Sequence, residues 1–70
     1  MELTFDNNLN CHIGQIPQNI NNIFATNISN INIFSTNFIY DEQNIKMKLF
    51  TVENGFELYQ NPISIKIYYY

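Results

Sequence analysis

Two stretches of this chain, Ile45 to Val52 and Ile63 to Tyr69, alternate apolar and polar or outward-type residues with a period of two. In a strand successive side chains point to opposite faces, so such runs bury one face and expose the other only as β-strands. One side collects Ile45, Met47 and Leu49, then Ile63, Ile65 and Ile67; the other carries Lys46, Lys48 and Phe50, then Lys66 and Tyr68. Between the runs stands Glu53-Asn54-Gly55, and Asn-Gly flanked by alternating segments is a strong hairpin signal. Phe56 to Gln60 reads as a short strand ended by Asn61-Pro62, with Phe56 and Leu58 on the core side. At the front, Leu3 and Phe5 alternate with Glu2 and Thr4, giving a first strand before a turn at Asn7-Asn8.

The middle of the chain holds a near-copy, NIFATNI at 22–28 and NIFSTNF at 32–38. Two strands offset by ten residues would present equivalent side chains to the same face, whereas one helix would rotate them apart. Ile16, Ile20, Ile23, Phe24, Ile28 and Ile31 fall on one side of a helical wheel, and Pro17 suits a first-turn position. The first copy therefore reads as an amphipathic helix over about 17–29. The second, mostly β-branched and aromatic from Ile31 to Tyr40, reads as a strand with Phe34, Phe38 and Tyr40 on one face. On this reading the likeness is a coincidence of a small alphabet.

The expected fold is thus α+β, a single domain over 1–70: one helix packed on an antiparallel sheet, in the order β-α-β-β-β-β. That order resembles the layout of cystatin-like and monellin-like folds as a pattern of elements, and no function is carried over from it. The alternative is an all-β chain with a true ten-residue repeat.

Composition enters as a set of exclusions. Seventy residues make a small core, and chains of this size lean on a disulfide, a metal or a partner. A single Cys rules out an internal disulfide, which leaves oligomerisation or a partner protein as the expected supplement. Thirteen Asn and twelve Ile without any Arg point to an AT-rich coding sequence. Six acids against Lys46, Lys48 and Lys66 give a net charge of −3, which weighs against binding duplex nucleic acid. MELTFDNNLN lacks the basic and apolar regions of a secretory signal, and no run is long and apolar enough for a membrane helix. The expectation is a cytoplasmic chain without membrane contact.

Chemistry-bearing motifs are sparse. Cys11 and His12 are adjacent, so in an extended segment they face opposite sides and do not pair as nucleophile and base. With two glycines in the chain, there is no glycine-rich phosphate loop. Neither enzyme activity, a cofactor nor a metal site is expected. The outer sheet face is richer: Phe34, Phe38, Tyr40, Lys46, Lys48, Phe50, Tyr59, Lys66, Tyr68 and Tyr70 together form an aromatic surface of the kind found at protein interfaces. The expectation is a non-catalytic protein-binding module, with self-association into a homo-oligomer, acting through that face or through the C-terminal strand by strand addition. Size and composition suggest a phage-type or mobile-element inhibitor of a host protein. The alternatives are a single-strand nucleic-acid binder that stacks bases on these rings, and a small-ligand sponge at an oligomer seam.

Overall fold

The structure is a computed structural model of the chain that describes residues 1–70 except Gln18 and Glu42. Among the described residues nine strands follow one another: β1 (Glu2–Asn8), β2 (Cys11–Gln15), β3 (Ile23–Asn27), β4 (Ile33–Ser35), β5 (Ile39–Asp41), β6 (Asn44–Met47), β7 (Leu49–Thr51), β8 (Glu57–Leu58) and β9 (Ile63–Tyr69). A six-stranded sheet runs β3-β9-β1-β2-β6-β5, and a three-stranded sheet runs β4-β7-β8, every pairing antiparallel. Because β7 continues β6 past Lys48, the sheets bend into one nearly closed, barrel-like layer.

The expected helix is absent: no helix occurs among the described residues, and the fold is all-β. Of the expected 17–29 span, Gln18 lies outside the described residues. The backbone around it is tied elsewhere, since the amides of Asn21 and Asn22 both donate to the Tyr70 carbonyl at 2.9 and 3.1 Å. Asn, Thr and Ile are weak helix formers, so a helix here would have relied on packing, and pairing with β9 satisfies the same backbone groups. The apolar stripe was nonetheless informative. Ile16, Ile20 and Ile23 are buried and Ile28 packs against them, while Phe24 and Ile31 point outward.

Both copies of the seven-residue word are extended at their start, and they are oriented alike. Ile23 and Ile33 are buried, Phe24 and Phe34 are exposed, and Ile28 and Phe38 are both half-buried against the core. The even offset therefore does what strands require, although β3 pairs with β9 and β4 with β7.

The core is made by Phe5, Ile45, Leu49, Ile65 and Ile67, all at 0% exposure, with Met47 and the isoleucines above around them. These are the inward positions of the alternating runs. The first turn sits two residues later than expected. Asn8 faces Cys11, and Leu9 and Asn10 take φ of 53° and 65°, the signs of the two-residue hairpin turn whose twist matches its strands.

Candidate interaction surface

The residues expected on one outer face are distributed over three places. Phe34 faces Phe50 across β4 and β7, and Phe50 stacks on Phe56 with centroids 5.0 Å apart and planes 10° from parallel. Phe56, expected in the core, is 71% exposed on this outer cluster. The short strand β8 is registered with Phe50 opposite Leu58, which turns Phe56 and Leu58 outward and Tyr59 inward.

Tyr40 and Phe38 are also corrected. Ser35 faces Leu49 while Ile39 faces Lys46, so the β4–β5 side carries one more residue than the β6–β7 side. That bulge is held by Thr36, whose amide donates to the Lys48 carbonyl at 3.0 Å and whose Oγ1 accepts from the Lys48 amide at 3.2 Å. One inserted residue reverses the alternation. Tyr40 is left opposite buried Ile45 and packs with Phe38 against the core, while Ile39 is 65% exposed.

Tyr59 belongs to neither aromatic group. Its ring stacks on the fully buried His12 at 5.9 Å and 22°. The Nε2–H of His12 donates to the Asn61 carbonyl at 2.9 Å, since a carbonyl can only accept, so the bond ties the segment after β8 to β2. On the next strand Asn7 faces His12, and Asn7 Oδ1 and His12 Nδ1 are both buried without a hydrogen-bond partner. Cys11 points to the opposite face from His12, and its thiol lies 3.8 Å from the Met47 carbonyl.

The second exposed aromatic group forms at the far end of β9. Phe24 is the bulged residue of β3, between the pairs Ile23/Tyr69 and Ala25/Tyr68. The bulge throws its ring outward, 6.4 Å from Tyr68 and 6.2 Å from Tyr70. Asn22 Nδ2 donates to the Tyr70 hydroxyl at 3.3 Å, and the Lys66 ammonium lies 5.8 Å above the Tyr68 ring, a cation–π geometry. Phe24 was missed by sequence reasoning because a helical stripe claimed it for the core. Its tie to Tyr68 and Tyr70 depends on the β3–β9 pairing, which no local pattern announces.

Lys46 is half-buried, opposite Ile13 and Ile39, and Lys48 is exposed beside the bulge. The lysines thus do not share a track. The C-terminal strand, expected as an edge open to strand addition, is paired on both sides, with β3 and β1. A cleft of about 390 Å³ lies between the β7–β8 loop and Tyr59–Asn61, with Glu53 and Glu57 among its walls. Among the described residues no helix is long and apolar enough to cross a membrane. No family model, curated protein or solved structure matches the chain.

Proposed function

We propose that the chain is a non-catalytic protein-binding domain working in a reducing, cytoplasmic setting, and that its binding surface is the pair of exposed aromatic groups. The observation that carries this reading is the Phe24–Tyr68–Tyr70 group, with Phe24 60% and Tyr70 67% exposed beside Lys66. Rings fixed at strand positions offer large apolar area at small rotamer cost, and with a hydroxyl or a cation at the rim they match the makeup of interface hot spots. The Phe34–Phe50–Phe56 group supplies a second such surface. The free thiol of Cys11 fits a reducing compartment.

The test is a paired affinity capture from cell extract with the wild-type chain and with a double variant, Phe24→Ser and Tyr68→Ser. Proteins held by the first and released by the second support the reading; identical sets for both chains, with the variant folded by circular dichroism, sink it. A second reading, stacking of single-stranded nucleic acid, is favoured by the placement of Lys66 over Tyr68. It requires oligonucleotide affinity that falls with salt, and an oligonucleotide titration at low ionic strength without binding removes it.

A further inference from the structure

Every charged side chain of this protein lies at or before Asp6, or at or after Asp41. From Asn7 to Tyr40 there is no Asp, Glu, Lys or Arg, and this stretch contains β3 and β4. Exposed sheet edges are ordinarily kept from pairing with other chains by lysines, prolines, inward charges, bulges or sheer shortness. The edges here are unequal by that standard. β5 ends in Asp41, β8 has two residues and includes Glu57, and β4 has three residues. β3 has five, carries no charge and no proline, and among the described residues pairs only with β9. Its one guard is the bulge at Phe24, which leaves Ala25–Asn27 regular.

The ladder identifies which backbone groups are open. Asn22 and Tyr70 exchange both of their amide bonds, and Ile67 donates to the Met1 carbonyl on the other side of β9. Alternation along the strand then directs Tyr68 and Lys66 toward Ala25 and Asn27, and leaves the Thr26 N–H and C=O pointing away from β9.

We propose that this edge pairs with the β3 edge of a second copy of the chain, antiparallel about a two-fold axis at Thr26. This rests on the protein-binding reading above and names its partner. Two Thr26 residues facing each other would exchange their open N–H and carbonyl groups, an isologous contact that closes at a dimer. The charge pattern selects the occupant. An acidic or basic peptide finds no counter-charge on β3, whereas a second uncharged edge approaches it without unpaired charge at the seam. The nearest charged side chain is Lys66, one strand inward, where it faces Asn27 on one side and Glu2 on the other and lies over Tyr68. In the pair, the Phe24–Tyr68–Tyr70 groups of the two copies lie on sheets that have become continuous.

The experiment is light scattering over a dilution series of the wild-type chain and three variants, each checked for fold by circular dichroism. Thr26→Pro deletes the open donor, Asn27→Lys sets a charge beside the axis on both copies, and Phe24→Ser trims an aromatic ring without touching the edge groups. The wild type is expected at twice 8.3 kDa at high concentration, with both edge variants weakened at least tenfold and Phe24→Ser affected less. A wild type that stays at 8.3 kDa throughout overturns the proposal, and so does a dimer that survives both edge variants. Loss of dimer in Phe24→Ser alone places self-association on the aromatic group, overturning the edge contact while leaving the protein-binding reading intact. If Thr26→Pro does not fold, Asn27→Lys decides, because the Asn27 side chain is exposed.

Discussion

Two residues carry backbone demands that their neighbours enforce. A Cβ placed on Gly14 would stand 2.8 Å from two ring atoms of Phe5, and Phe5 is fully buried. The ring has nowhere to retreat, so Gly14→Ala is expected to cost roughly 1–3 kcal/mol, read as a lowered midpoint in urea unfolding. Leu9 is the opposite case. It occupies the left-handed region at φ 53° while its side chain is 93% exposed, so it bears conformational strain with no packing in return. Leu9→Asn should stabilise the domain by about 1 kcal/mol, because Asn tolerates that conformation with local hydrogen bonds. An unchanged or lower melting temperature would show that the turn conformation is not as described. The buried His12 belongs at this scale too: no strand was read at Cys11–Gln15, and its partners, Tyr59 and the Asn61 carbonyl, lie far along the chain.

At the scale of elements, the alternating runs were read correctly in β6, β7 and β9, and misread where a single residue is inserted and in the two-residue β8, whose register turns Phe56 and Leu58 outward. In β6, β7 and β9 the inward sets Ile45, Met47, Leu49 and Ile65, Ile67 are those the period of two assigns. Between β4 and β5 the same logic put Tyr40 outside, because nothing local marks Thr36–Phe38 as bulged. The bulge is stabilised by the pair of bonds between Thr36 and Lys48. Thr36→Val keeps the shape and removes the hydroxyl acceptor, so about 1 kcal/mol of stability should go with it, and the Lys48 amide should exchange with solvent faster. Protection at Lys48 unaltered by the substitution would mean that the hydroxyl does not hold the bulge.

For the whole molecule, β9 decides cohesion. It stands between β1 and β3, so β3 joins the rest of the six-stranded sheet only after the last strand is in place. Ile65 and Ile67 are both fully buried there. Removing most of one of these side chains, as in Ile65→Ala, should cost roughly 2–5 kcal/mol. That is a large share of what a chain of this size has, of the order of 5 kcal/mol. The variant is expected to be substantially unfolded at 25 °C by near-ultraviolet circular dichroism and amide dispersion; a native-like spectrum would remove β9 from that central position. Pairings this distant in sequence also place refolding in the millisecond-to-second range, which stopped-flow fluorescence of the tyrosines would measure.

The inward faces of the alternating runs in β6, β7 and β9 and the hairpin around Asn54-Gly55 were determined by the sequence alone, since each follows from residue types and spacing over a few positions. Tertiary structure decided whether Ile23–Asn27 would coil on itself or extend. A weak helix former takes whichever partner satisfies its amides, and that partner, β9, lies some forty residues away. It also decided the outer surface. Phe24, Tyr68 and Tyr70 meet because of a bulge and a long-range pairing, and Tyr40 and Tyr59 turn inward because of register. Residue type marks a side chain as able to bind, but only the pairing of distant strands settles which face it occupies.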